Sequence, residues 1–424
     1  MLESKRTGLP DPDFGENGVF GLPNVGHEQF LSGLSTRAQG GLLAVGSGRW
    51  VDDFVVYALT AEGDLDKEFR GEGCFKDTFG EPSIVRLIHS LDDKKILVAG
   101  ELTDGLAMAR YEPGGDFDPT FNGGKAVKID VDQLRYSAAG FAEKYLTMAA
   151  PGTSGIPSIL MNFRCVADGS GIFYGFDARY GSAHERLIVI VRLTYDGHPD
   201  SAFGSGGHFI LTLPGGHEPW CGFECLSIQQ TPAGPKLLVL GVISTEGLGS
   251  KEGLLFRLNP NGTVDTSFGP EGSNTLGIVR VPRIVEFAWT ISVLASGTIC
   301  VGGQSASGAV IVGFTCDGLL DTRFNEGNPV LSSLPTYWVA DVWDQAWAAQ
   351  RLMFAGMHSQ SVGNFIALRR FDANGNPDVA FGEEGLQQLR YTAYEYNISR
   401  FHILPLSTGQ AYVGAGQEIY RLLE

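Results

Sequence analysis

Positive charge is scarce in this chain. Against 48 Asp and Glu stand 31 Lys and Arg, which leaves the 424 residues with a formal charge of −17. No run of Lys or Arg exceeds two, as at Lys94-Lys95 and Arg369-Arg370. Binding to nucleic acid rests on basic patches, so nucleic acid and anionic membrane surfaces are excluded as main partners. Long apolar runs are missing too: none approaches the ~18 residues of a membrane span. The opening MLESKRTGLPDPDFG has basic residues with no apolar segment behind them, which predicts no secretory signal. A cytoplasmic protein is therefore expected, with non-classical export as the alternative.

Cysteine is sparse, with six residues at 74, 165, 221, 225, 300 and 316. Only Cys221 and Cys225 lie close together, and no second pair completes a zinc set. That spacing permits a local bridge, but buried or incidental thiols are the expectation. No nucleophile elbow, P-loop, HExxH or dinucleotide fingerprint occurs. No metal and no cofactor is expected.

What the chain has in abundance is glycine, 58 residues of it. Much of it sits in a motif that recurs seven times. Aligned on its Phe, the motif reads GLPDPDFG, GDLDKEFR, GDFDPTFN, GHPDSAFG, GTVDTSFG, GLLDTRFN and GNPDVAFG, with Phe at 14, 69, 121, 203, 268, 324 and 381. The gaps are 55, 52, 82, 65, 56 and 57 residues. Before each motif after the first lies an apolar or alternating run, such as AMARY or LLFRL. Upstream of that is a second run that in five repeats ends in Gly, at 46, 100, 241, 303 and 356. A turn and a third run precede it, and a short run such as HFILTL follows the motif. Four short strands in ~55 residues form a propeller blade. The chain opens on the motif and closes on three strands, so its two ends complete one blade. The sequence therefore predicts an all-β, single seven-bladed β-propeller over residues 1–424, with insertions at about 131–157 and 176–186.

The repeats resemble those of the bacterial delta-60 repeat β-propellers. NPNGTVDTSFGPEG, SLDDKKILVAG and LAMARYEPGGDFD carry the resemblance, which extends over the whole chain. It implies the propeller fold and leaves activity open. Within the motif, Asp is suited to accept backbone N–H bonds in a tight turn, Phe to plug between blades, and Gly to take positive φ. One Asp per blade cannot converge on a single site, so the seven are expected to be structural.

The candidate site lies on the opposite face, in the loops joining blades and the first residues of each inner strand. Five of the six Trp fall there, at 220, 289, 338, 343 and 347, with Tyr337, Tyr391, Tyr394 and Tyr396. Each loop also has an acid: Glu28, Glu81, Glu143, Glu218 or Glu224, Glu286, Asp341 and Glu395. Aromatic faces beside carboxylates suit sugars or cations. The same aromatics also suit inter-blade packing. The ligand-binding candidates are Trp220, Glu224, Glu286, Trp289, Trp338, Asp341, Trp343, Tyr394 and Glu395. GFDARYGSAHERL at 175–187 adds Asp177, Arg179 and His184 on an extended loop. A binding module for a glycan, a small ligand or a protein partner is the first reading, with the chain a monomer. A saccharide hydrolase or lyase using funnel carboxylates such as Glu286 and Asp341 is the second. A toxin or effector recognition component is the third.

Overall fold

The computed structural model describes residues 7–24, 29–37, 40–48, 52–102, 105–130, 164–180, 185–211, 220–244, 251–270, 277–282, 287–305, 308–332, 338–343, 351–360, 363–391, 402–406 and 408–424. Its 28 strands form seven antiparallel four-stranded sheets arranged as a ring, a seven-bladed β-propeller. The first strand, β1 (Val19–Gly21), belongs to the last blade. Blade 1 follows as β2 (Phe30–Thr36), β3 (Leu42–Ser47), β4 (Asp53–Leu59) and β5 (Cys74–Thr78). Blade 2 is β6 (Ser83–Ser90), β7 (Ile96–Leu102), β8 (Gly105–Tyr111) and β9 (Val127–Asp130). Blade 3 comprises β10 (Arg164–Ala167), β11 (Gly171–Tyr180), β12 (Glu185–Thr194) and β13 (His208–Ile210). Blade 4 comprises β14 (Trp220–Thr231), β15 (Gly234–Ser244), β16 (Lys251–Leu258) and β17 (Val279–Arg280). Blade 5 runs through β18 (Phe287–Val293), β19 (Ile299–Ser305), β20 (Gly308–Phe314) and β21 (Val330–Ser332). Blade 6 runs through β22 (Trp338–Trp343), β23 (Leu352–Gln360), β24 (Gly363–Phe371) and β25 (Leu386–Tyr391). Blade 7 takes β26 (His402–Pro405), β27 (Ala411–Ala415) and β28 (Glu418–Leu422).

Each blade is a meander from an inner to an outer strand, and β1 supplies the outer strand of blade 7 by pairing Val19 with Tyr420 and Gly21 with Glu418. The ring thus closes as the repeat pattern predicts, and no sheet in it ends on a missing strand. In blade 2 the two middle strands are buried on both faces, which explains their continuous apolar runs.

The motif builds the corner between third and fourth strands in the same way seven times. The Asp Oδ1 accepts the backbone N–H two residues on, at 2.8–3.2 Å in all seven copies. The Asp carbonyl accepts the Phe N–H at 2.9–3.1 Å. The Phe ring, buried in every copy, lies against the motif Gly of the next blade. A Cβ on Gly262 would sit 2.5 Å from Gly204 N and 3.0 Å from the Phe203 ring, and the Gly262 φ is +77°. Only glycine fits there. In five junctions the residue after the Phe also donates its N–H to the next blade, as from Gly204 to Asn261 O at 2.8 Å.

A second element fixes the motif Asp. In blades 2, 3, 4 and 6 an Arg on the third strand, eight residues before the Asp, donates to it: Arg110, Arg192, Arg257 and Arg370. In blade 7 Arg421 does so for Asp11, at 2.9 Å across the ring closure. In blades 2, 4, 6 and 7 the same guanidinium lies 4.7–5.1 Å from the motif Phe centroid. Blades 1 and 5 have Ala58 and Gly313 in the Arg place. There Arg37 from the first turn serves Asp66, while Arg323 and Thr298 serve Asp321. The structural reading of the seven Asp therefore holds.

Candidate functional site

The meander puts the motif corners and first turns on one face. The other face, the loop face, carries the inter-blade connections and the hairpins between second and third strands. The inner strands enter from the loop face, and five of them are bulged near that end. The bulged residues are Ser32, Arg86, Glu224, Trp289 and Asp341. In blades 1, 2, 4 and 5 the bulge follows the residue paired with Gly46, Gly100, Gly241 or Gly303; in blade 6 it falls one residue later. A bulge takes one residue out of the ladder and re-aims it. The inner strand is the edge that borders the ring axis, so these five residues surround the mouth of the central tunnel.

The glycine of the second strand makes the bulge possible. A Cβ on Gly100 would lie 2.6 Å from Ile84 O and 2.9 Å from Val85 Cα. No side chain fits between the strands at that point. The bulge also frees a backbone N–H on the residue before it. In blade 1 the Leu31 N–H goes to Gly416 O of blade 7 at 2.8 Å. In blade 4 the Phe223 N–H goes to the Asp177 carboxylate of blade 3. Asp177 is only 2% exposed, and this bond ties its blade to the next.

Ser47, Glu101 and Asp177 occupy one register in consecutive blades, beside the bulge, and all are buried. Ser47 Oγ lies 3.0 Å from Ser32 Oγ. Glu101 accepts Arg86 Nε at 3.1 Å, and Arg86 Nη2 donates to the same oxygen. The bulged hydroxyl and the bulged guanidinium are thus each held by a side chain of their own second strand. That pairing sets a guanidinium against the buried Glu101 carboxylate through one oxygen, Oε1.

The fold brings Glu224, Trp289 and Asp341 of the sequence candidates to the bulge ring. Trp220 and Trp338 are the first residues of β14 and β22, Trp343 is the last of β22, and Arg179 pairs with Arg186 in the β11–β12 hairpin. Glu286, Tyr394, Glu395, His184 and the insertion at 131–157 lie outside the described residues. The other insertion is in part an extension of the β11–β12 hairpin, through Tyr180 opposite Glu185. Sequence reasoning missed Ser32, Arg86 and Glu101. The signal for them was present in Gly46 and Gly100 of the second strands, which face the residues before the bulges at Ser32 and Arg86. Among the described residues, Cys74 and Cys316 are free thiols. Among the described residues no group of three His, Cys, Asp or Glu is placed to hold a metal, and no helix is long and apolar enough to cross a membrane.

Comparison with known proteins adds the fold relationship. A family model described as a domain of unknown function (DUF5122) β-propeller matches residues 91–121 and 236–268. The first match starts in the first turn and the second just inside the second strand, and both run through the third strand to the motif Phe. No curated protein matches the chain. Among solved structures, the Dos1 propeller is 10% identical at a TM-score of 0.47, covering 95% of this chain and 80% of that one. Drosophila Semaphorin 1a, extracellular domains 1–2, is 9% identical at a TM-score of 0.44, covering 96% and 88%. Porphyromonas gingivalis dipeptidyl peptidase 4 is 8% identical at 0.40, covering 90% and 48%. The chain is a seven-bladed propeller similar in sequence to the DUF5122 propeller model.

Proposed function

We propose that this propeller is a recognition module of the delta-60 repeat type, and that it binds a saccharide at the tunnel mouth on its loop face. The observation that carries the reading is the bulge register. It gathers an indole position (Trp289), two carboxylate positions (Glu224, Asp341), a guanidinium (Arg86) and a hydroxyl (Ser32) from five blades. Sugars need flat apolar surface for their C–H faces and paired donors and acceptors for their hydroxyls. The formal charge of −17 favours a neutral or cationic ligand over a polyanion.

The test is a thermal-shift screen of purified protein against neutral saccharides, repeated with Trp289→Ala and with Glu224→Gln. The expected outcome is a rise in Tm with at least one saccharide that either substitution abolishes. A stabilising saccharide that shifts both variants as it shifts the wild type puts the site elsewhere and ends this reading.

A further inference from the structure

Four Asn-Gly pairs occur in the chain, at 17–18, 122–123, 261–262 and 374–375. Such a pair carries a reaction within itself. The backbone nitrogen of the glycine, once it has given its proton to water, attacks the carboxamide carbon of the asparagine. A C–N bond forms, ammonia leaves, and a five-membered succinimide results. Water then opens the ring. Opening at one carbonyl gives Asp, and opening at the other gives isoaspartate, in which the main chain runs through the side-chain carbons. Glycine permits the attack most readily, because it has no Cβ to crowd the ring. In a folded chain two further conditions apply. The glycine nitrogen must be free of other bonds, and the backbone around it must have room to turn.

The fold denies both conditions to three of the four pairs. Gly18 donates its N–H to Phe14 O at 2.9 Å, Gly262 to Asn259 O at 2.8 Å and Gly375 to Asp372 O at 3.0 Å. All three glycines are buried. A Cβ on Gly18 would meet Pro10 Cβ at 2.7 Å, one on Gly262 the Gly204 nitrogen at 2.5 Å, and one on Gly375 Val330 Cγ2 at 3.0 Å. Gly262 and Gly375 are moreover the glycines on which Phe203 and Phe324 of the preceding blades rest. The packing of the seams clamps these pairs.

Gly123 differs in each respect. It is exposed, and a Cβ there would meet no described residue within 4 Å. Its N–H has no acceptor among the described residues. The pair stands in the motif corner of blade 2, directly after Phe121. The residue after the motif Phe takes positive φ in all seven copies, which selects Gly or Asn in six of them. Asn325 holds that place in blade 5 with a φ of +47°, against +45° for Asn122. Asn325 is fastened three times: its N–H goes to Asn374 O at 2.6 Å, and its Nδ2 to Asn328 O and Pro329 O, both at 3.1 Å. Asn122 makes one such bond, from Nδ2 to Ala126 O at 3.2 Å, and its N–H is not among those donated to the next blade.

We infer that Asn122 is the site at which the folded protein modifies itself, by closing a succinimide with Gly123 and opening it to Asp and isoaspartate. The isoaspartate adds a main-chain carbon between Phe121 and Gly124, whose N–H bonds Phe121 O at 2.8 Å. Phe121 is fully buried, with its ring 3.0 Å from a Cβ placed on Gly197 of blade 3. The extra atom therefore loosens the seam between blades 2 and 3.

The test incubates the full chain at mildly alkaline pH, digests it, and follows the four Asn-Gly peptides by mass spectrometry. Synthetic Asp and isoaspartate peptides identify the two products by chromatography. Asn122 is expected to convert about tenfold or more faster than Asn17, Asn261 or Asn374. In concentrated urea, where no seam holds, the four are expected to convert at comparable rates. Asn122→Gly, the residue that four other corners use, is expected to fold as the wild type does and to abolish both the conversion and the slow fall in Tm that accompanies it. Equal rates at the four pairs in the folded protein, or faster conversion at any of the other three, overturn the proposal. So does an Asn122 that converts in urea and stays intact in the folded chain. Accumulation of isoaspartate at position 122 with an unchanged Tm overturns the loosening of the seam.

Discussion

Three residues of the motif, Asp, Phe and Gly, each do separate physical work, and substitutions separate their effects. Phe203 is fully buried between blades 3 and 4. Phe203→Ala removes the ring and leaves a cavity, a change that costs about 3–5 kcal/mol, read by urea unfolding. Asp265 accepts Lys236 Nζ at 2.5 Å and Arg257 Nε at 2.8 Å. Asp265→Ala strands a buried guanidinium, and breaking such a pair costs about 3–5 kcal/mol. Lys at position 257 would keep the charge but lose the fork that also reaches Gln229 and Cys316 O, so Arg257→Lys is expected to recover only part of the loss.

The same residues set the acid response. The Arg323 hydrogen bond, with Thr298 and the Arg323 N–H, holds the Asp321 carboxyl down to about 2. Burial alone would raise Asp118 and Asp265, but bonds from Lys95, Thr120 and Arg110, and from Lys236, Ser267 and Arg257, outweigh it and hold both well below the usual carboxylate range. Burial pushes His208 below its ordinary value, and its ring is 2% exposed. His89 is lowered by burial too, partly opposed by Asp92. A group with a depressed folded pKa binds more protons when unfolded, so its stabilisation is lost as pH falls. Two declines in unfolding free energy are expected. The first begins below about pH 6.5, where an unfolded His takes its proton, and the second below about pH 4, where unfolded Asp does. His208→Leu should reduce the first and leave the second. A variant profile that keeps the first decline in full would assign it to other groups.

At the scale of the strand, a glycine inside the second strand, one to four residues before its end, decides whether the inner strand can bulge. Gly100→Ala forces a methyl against Ile84 O at 2.6 Å. The expected cost is about 1–3 kcal/mol, together with displacement of Arg86 from Glu101, visible as altered ligand affinity in any variant still folded. The fold was largely legible because each repeat repeats its strand lengths, its turn glycines and the Asp-x-x-Phe corner. The ring closure was legible for the same reason, from an opening motif with no strands before it. The bulge ring was only half legible. Trp289, Glu224 and Asp341 drew notice as aromatic or acidic residues near strand starts, whereas Arg86 and Ser32 looked like ordinary surface residues of a strand. What unites the five is a backbone irregularity, whose only mark in the sequence is a glycine on the neighbouring strand. Asp177 was legible as a functional candidate from its charged neighbours, yet its carboxylate accepts the backbone N–H of Phe223. A side chain serving a backbone group of the next blade is invisible until the blades are packed.

For the whole molecule, stability depends on the ring being closed by a short piece of chain. The closure comprises three strand pairs between β1 and β28, the Asp11–Arg421 ion pair, the Gly8 N–H to Leu423 O bond, and Phe14 buried against Tyr412 at 5.4 Å. Thr7 adds a link to blade 6 through Ala380 O and Gly382 N. Removing residues 1–21 would take away all of these at once. It would also leave β28 as an open edge, and an unpaired edge is a template for association with another chain. The truncated protein is therefore expected to associate, by light scattering on a sizing column, and to lose its single sharp thermal transition. Arg421→Ala is the milder test: it leaves β1 in place but strips Asp11 of a buried partner. It should lower stability by about 3 kcal/mol or more while the protein stays in the wild-type assembly state. If truncation left a protein of unchanged assembly state and unchanged Tm, the remaining inter-blade contacts would suffice to hold the ring. The closing strand would then be dispensable, and the stability of this propeller would reside in its blades one by one.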